Sequence, residues 1–171
     1  MYFIKEMSHT IQLYPTTFGP RVTDLLKTRL RMEIEGSCTG RYGYVVAVLE
    51  ILDATQGTII PGAGLAEFDV KYKAVVCKPL KGEVVEGVVG TVNKMGFHVD
   101  VGPLNVFVST HLIPSDLKFD PNAESPQYAS EDQVIQKGAM IRLKIINARM
   151  DSTEIFGIGS IKDDYLGVVG N

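Results

Sequence analysis

The stretch from Gly82 to Ile161 constrains the fold more than any other feature of this chain. Apolar residues recur there in five short runs with strand-like alternation, and Gly, Pro, Asn and Asp punctuate the gaps. The runs cover residues 83–93, 96–101, 104–109, 138–149 and 155–161, and His111-Leu112-Ile113 caps the third with a helical turn. Residues 114–133, rich in Pro, Asp, Ser and Asn, read as one long loop between the third and fourth runs. A loop of that length in a small domain is usually functional or disordered. Five short strands cannot bury their apolar faces as separate hairpins, so closure into a small barrel is expected.

The first half has a different pattern. Residues 3–13 read as a strand carrying Ile4, Ile11 and Leu13. After the break at residues 14–19, Pro20 suits the first turn of a helix, where its missing N–H costs nothing. Val22, Leu25, Leu26, Leu30 and Ile34 then recur at helical spacing, and Gly36 is a stop. Glycine-rich turns at 36–43 and 61–64 bracket a buried strand at 44–52 and a short one at 56–60. Phe68, Val70, Tyr72, Ala74 and Val76 alternate along a long strand at 66–78. Pro79-Leu80-Lys81-Gly82 marks the junction. The fold class is α+β: an antiparallel-sheet-plus-helix domain at 1–80, then an all-β five-stranded OB-type barrel at 81–171.

Charge restricts the partners. Residues 1–80 hold nine Lys/Arg against eight Asp/Glu, and residues 81–171 hold eight against twelve. A broad basic face for nucleic acid is therefore absent from the barrel, and any strand it binds must be held locally, with help from stacking. Cys38 and Cys77 are far apart and form no CxxC, which fits reduced thiols better than a disulfide framework or a zinc site. The first residues lack a signal-peptide pattern and no apolar run reaches transmembrane length, so an intracellular protein without a membrane partner is expected. The glycine turns do not match a phosphate loop. His9, His98 and His111 are scattered, and Glu83, Glu86, Asp163 and Asp164 read as a solvated acidic surface or a partner contact. No catalytic residue, metal or cofactor is assigned.

Gly82-Glu83-Val84-Val85-Glu86-Gly87-Val88-Val89 opens the second half in a way that resembles an S1-type RNA-binding domain. Asn93-Lys94-Met95-Gly96-Phe97-His98-Val99-Asp100-Val101-Gly102, Asn105-Val106-Phe107-Val108-Ser109 and Leu143-Lys144-Ile145 continue it in order. The resemblance spans the whole chain through Phe18-Gly19-Pro20, Glu35-Gly36-Ser37-Cys38-Thr39-Gly40, Val70-Lys71-Tyr72-Lys73-Ala74, Leu112-Ile113-Pro114 and Asp163-Asp164-Tyr165-Leu166-Gly167. Together these are similar to the larger-subunit family of the two-subunit stalk of multisubunit RNA polymerases. The short tail after Gly167 is most like the polymerase II version. The resemblance implies a nuclear, non-catalytic subunit, with shuttling to the cytoplasm left open. It also implies a first domain docked on the polymerase core, a small helical partner subunit, and a barrel facing nascent RNA, with single-stranded DNA as a second ligand. A free-standing S1-type protein of translation or RNA decay is the alternative, and it leaves the first domain without a task.

Site residues follow from that resemblance. Lys94, Met95, His98, Ser109, Lys144, Arg149 and Phe156 are expected to face RNA, with Met95 and His98 where the family carries aromatics. Phe97 and Phe107 are expected toward the core, and His111 as a turn cap. Core docking is assigned to Phe18, Gly19, Pro20 and Arg21, to Arg41, Tyr42 and Gly43, and to Pro61, Gly62 and Gly64. Without the resemblance these would read as ordinary hairpin turns. Tyr72, Val76, Tyr165 and Leu166 are expected at the partner surface, with an intramolecular contact as the plainer reading.

Overall fold

The computed structural model describes residues 1–170. The chain divides after Lys78, two residues before the expected boundary. In the first unit, β1 (Tyr2–Leu13), β2 (Cys38–Thr39), β3 (Gly43–Ala54), β4 (Thr58–Ile59) and β5 (Ala66–Cys77) form one antiparallel sheet. Its order is β1-β5-β3-β2, with β4 also on β5. β1 and β5 pair without a slip from Tyr2↔Cys77 to Leu13↔Ala66. Helix α1 (Val22–Ile34) closes one sheet face by burying Leu26 and Leu30 against Ile11, Val45, Val48, Val70, Tyr72 and Val76. Truncating a fully buried leucine such as Leu30 costs about 2–5 kcal/mol. Pro20 lies in the turn that precedes the helix, before its N-cap Arg21, and not in its first turn. The helix ends where Glu35 turns extended and Gly36 takes a φ of +80°.

The expected buried strand at 44–52 is only partly buried. Three register shifts in β3 against β5 place Val45 and Val48 in the core while leaving Val46, Leu49 and Leu52 exposed. Each bulge adds a residue that faces neither side of the regular pleat, so an apolar run that reads as buried puts a third of itself outside.

In the second unit, β6 (Val84–Asn93), β7 (Gly96–Val101), β8 (Leu104–Ser109), β12 (Met140–Met150) and β13 (Ile155–Ser160) form the expected five-stranded barrel. The order is β13-β8-β7-β6-β12, and the β12–β13 pairing closes it. β13 runs parallel to β8, and the other pairs are antiparallel. Phe97, Val99, Leu104, Val106, Val108, Ile141, Leu143, Ile145 and Ile155 fill the interior. Gly96 has a φ of +146°, and a Cβ there would meet the Val108 carbonyl oxygen, so only glycine fits where β7 begins.

The long excursion is not a bare loop. It folds into its own small sheet of β9 (Lys118–Asp120), β10 (Gln127–Ala129) and β11 (Val134–Ile135). Apolar anchors inside the polar composition explain this. Tyr128 is buried, its ring centroid lies 5.4 Å from that of Phe119 and 6.1 Å from that of Phe97, and its hydroxyl donates to the Asn93 carbonyl at 2.8 Å. The short β14 (Gly167–Val168) adds to β12 through Ile141↔Val168.

Candidate nucleic-acid interface

Side chains alternate across a strand, so Leu104, Val106 and Val108 inward put Asn105, Phe107 and Ser109 outward on β8. The same parity places His98 and Asp100 outward on β7, and Phe156 and Ile158 outward on β13. The bulge between Ile145 and Asn147 resets β12 so that Asn147 and Arg149 join them. Register aligns these residues in two rows across four strands. One runs Asp100, Asn105, Phe156, Arg149, and the other His98, Phe107, Ile158, Asn147. Beyond the second row, Gly96 pairs with Ser109, and the β6–β7 turn carries Lys94 and Met95 at the rim.

This outer face combines rings, apolar platforms and a polar chain. The His98 and Phe107 rings lie 4.8 Å apart at 43°. Met95 is 72% exposed, and Phe156 and Ile158 are each 46% exposed. A shallow, mostly apolar depression of about 210 Å³ runs between Asn147, Ala148, Arg149 and Phe156, Gly157, Ile158. His98 Nδ1 lies 2.9 Å from Asn105 Oδ1, and Asn105 Nδ2 donates to Asp100 Oδ1 at 2.7 Å. Lys94 and Arg149 are the exposed cations that the face and its rim contribute.

Six of the seven residues expected to face RNA gather here: Lys94, Met95, His98, Ser109, Arg149 and Phe156. Lys144 does not. It sits opposite Val84 and Ser160, and its ammonium is held by Asp163 at 2.9 Å. Phe97 is buried as expected. Phe107 corrects the expectation, since it is half-buried on the outer face and not in the core. The signal was available in the sequence, because Phe107 shares its parity with polar Asn105 and Ser109. His111 is not the cap it was expected to be: it is the middle residue of the turn Thr110–Leu112 after β8, and Ser109 caps that turn, its Oγ accepting from the His111 backbone N–H at 3.3 Å.

The docking residues divide between the two ends of the first sheet. Phe18, Gly19, Pro20 and Arg21 follow the end of β1, and Pro61, Gly62 and Gly64 precede the start of β5, where Leu13 pairs with Ala66. Phe18 packs edge-on against Phe68, with centroids 6.2 Å apart. Arg41, Tyr42 and Gly43 lie at the other end, beside Cys77, with Arg41 stacked 5.2 Å over the Tyr42 ring. β5 is 12 residues long, and at about 3.3 Å per residue it separates the two groups by several tens of ångströms. They cannot form one tip. Gly43 is itself buried, with a φ of +96°, and a Cβ there would collide with the Cys77 carbonyl. Its role is to start β3.

Tyr72 and Val76 are likewise corrected as partner-facing residues. Both are almost completely buried in the core under α1, because their parity on β5 points them to the helix side. Burial, with a smaller contribution from Tyr42, pushes the Tyr72 phenol above its ordinary pKa. Tyr165 is the opposite case, 92% exposed with a left-handed φ of 66°, and Leu166 beside it is half-buried. Among the described residues no group of His, Cys, Asp and Glu could hold a metal ion, and no helix is long and apolar enough to cross a membrane.

Two family models match this chain. Residues 78–158 match the S1 RNA binding domain, which coincides with the barrel, and residues 8–64 match the SHS2 domain found in the N terminus of Rpb7p/Rpc25p/MJ0397. DNA-directed RNA polymerase II subunit rpb7 of Schizosaccharomyces pombe is 55% identical over 98% of this chain and 99% of its own length. The chain belongs to the Rpb7 family of RNA polymerase subunits. Subunit RPB7 of Saccharomyces cerevisiae is 49% identical, covering 99% of this chain and 100% of its own. The archaeal subunit Rpo7 of Sulfolobus acidocaldarius retains 30% identity over 99% of this chain and 93% of its own. An Rpb7-type stalk subunit with an S1 domain implies a polymerase complex as partner and a nuclear location.

Proposed function

We propose that this stalk subunit is non-catalytic, binds nascent single-stranded RNA on the β7–β8–β13–β12 face of its barrel, and docks on the polymerase core through its first domain. The two-row face carries the reading. It offers a ring pair, exposed apolar platforms and a cation at each side, which is the combination by which OB barrels hold a single strand without reading its sequence. With two cations and an acidic half around them, binding is weak and sequence-tolerant, and single-stranded DNA is a second ligand. Docking falls to one end of the first sheet, where Phe18 to Arg21 and Pro61 to Gly64 come together. Tyr165 and Leu166 are the surface for a small helical partner, since a 92%-exposed tyrosine in a strained backbone position suits an interface anchor. From this position the subunit supports initiation in the nucleus, and it reaches the cytoplasm if it travels with the transcript.

Fluorescence anisotropy of the full chain with a short single-stranded RNA tests the RNA assignment. Replacing Met95 and His98 together by Ala weakens binding, while co-purification with the helical partner and the polymerase core is unchanged. Undiminished affinity in that double variant rejects the face.

A further inference from the structure

The polar chain on the barrel face has a direction that its chemistry fixes. Asp100 is a carboxylate and can only accept, so the Asn105 side chain within 2.7 Å of it must present its NH₂. That leaves the Asn105 carbonyl oxygen facing His98 Nδ1 at 2.9 Å. A carbonyl oxygen only accepts, so Nδ1 must carry the proton. In a neutral imidazole the other nitrogen, Nε2, is then a bare acceptor. No protein group bonds to it among the described residues, and no buried side-chain nitrogen or oxygen lacks a partner, so Nε2 reaches solvent. The ring leans against Phe107, tilted by 43° with centroids 4.8 Å apart, and that contact holds it in place.

We propose that Asp100 and Asn105 lock His98 as the Nδ1–H tautomer, so that its Nε2 accepts a hydrogen bond from a donor on the bound strand, a ribose 2′-hydroxyl or a base N–H. The inference rests on the RNA-binding reading of this face and adds to it a polar selectivity that stacking cannot supply. A phenylalanine in the same place stacks but accepts nothing. Asp100 and Asn105 are positioning residues, and His98 is the group that touches the strand.

The test uses the full chain and three probes of roughly eight nucleotides, within the usual span of such a barrel: oligouridylate RNA, its 2′-deoxy counterpart, and N3-methylated oligouridylate. The wild type binds plain oligouridylate about 2- to 12-fold better than whichever probe lacks the recognised donor, the range set by one net hydrogen bond. Loss with the deoxy probe identifies the ribose hydroxyl, and loss with the methylated probe identifies the base. His98→Phe keeps a stacking ring and brings the probes within a factor of two of each other. Nitrogen-15 spectra of the imidazole read the tautomer directly, and Asn105→Ala shifts them toward a mixture. A wild-type spectrum with the proton on Nε2 overturns the inference, as does discrimination that survives His98→Phe. If the wild type binds no probe, the RNA-binding reading fails and the proposed selectivity with it, while the spectrum still decides the tautomer.

Discussion

Phe107→Ala is the sharpest test of the barrel face, because this ring was expected in the core and the structure puts it on the outer face. The ring sits between His98 and Ile158 in the second row, so its removal takes away a stacking platform and unseats the His98 imidazole. Loss of one base-stacking contact costs about 1–3 kcal/mol, which is roughly 5- to 150-fold in affinity. Folding suffers less. Phe107 is half-buried, so its truncation costs less than the about 3–5 kcal/mol expected for a fully buried ring such as Phe97. Anisotropy with a short RNA measures the first quantity, and a urea titration of the same variant measures the second. Salt gives an independent reading. Two cations on the face, Lys94 and Arg149, set a slope of log affinity against log salt near about −1.4, at about −0.7 per phosphate for a single strand. A folded Phe107→Ala protein with wild-type affinity, or a slope several-fold steeper, refutes the assignment, because the strand would then follow a basic path elsewhere.

Lys144→Ala leaves RNA affinity within about twofold in the same assay, since that ammonium is bound to Asp163 away from the two rows and an exposed pair contributes at most about 1 kcal/mol. Gly43→Ala lowers the denaturant midpoint of the first domain through left-handed strain of roughly 1–3 kcal/mol plus a backbone collision, so lost recruitment in that variant reports unfolding and not a docking contact. Phe18→Ala combined with Pro61→Ala weakens co-purification with the polymerase core, with circular dichroism unchanged; normal recovery of core subunits counts against docking at that end. Tyr128→Phe removes a hydrogen bond worth about 0.5–1.5 kcal/mol. Burial raises the Tyr128 phenol in the folded state above its ordinary 10.0, so its contribution is full below that pH and is lost as the pH climbs through the raised value. Thermal melts therefore show the wild type losing more stability above pH 10 than the Phe variant.

The barrel was legible because alternation, turn residues and the position of the long excursion all pointed to one topology, and each of its five strands begins and ends within two residues of expectation. The excursion itself was misread. Composition is a property of a window, and it averaged Leu117, Phe119 and Tyr128 into a polar background, although three anchors suffice to seat a small sheet. Bulges defeated the reading of β3 for a related reason. A period of two is the only strand signal a sequence carries, and three inserted residues turn it into a period of three that resembles a buried run. Tyr72 and Val76 failed as surface residues because the sequence shows which residues share a face of β5 but not which face the helix covers. The docking set was split by register alone. Glycine turns at opposite ends of a 12-residue strand look equivalent when read along the chain.

Under the proposed function, a face with a diluted aromatic set and two cations makes physical sense only in relation to where its ligand comes from. Free in solution, such a barrel competes poorly for RNA, because a few stacking contacts must offset the ordering of a flexible strand and screening weakens both charges at cellular salt. Fixed to the machine that extrudes the strand, the same barrel meets it as an intramolecular partner, at effective concentrations that reach the millimolar range for short flexible connections. Weak, sequence-tolerant contacts are then an advantage, since a transcript must keep sliding past and a tight site would hold it. The Nε2 acceptor of His98 fits this economy: one hydrogen bond can favour a class of strand without adding enough affinity to arrest it. Raising affinity by converting Met95 to Phe should accordingly tighten RNA binding by the isolated chain and slow RNA release from the assembled polymerase. Tighter binding with unaltered release would mean that the transcript does not pass over this face.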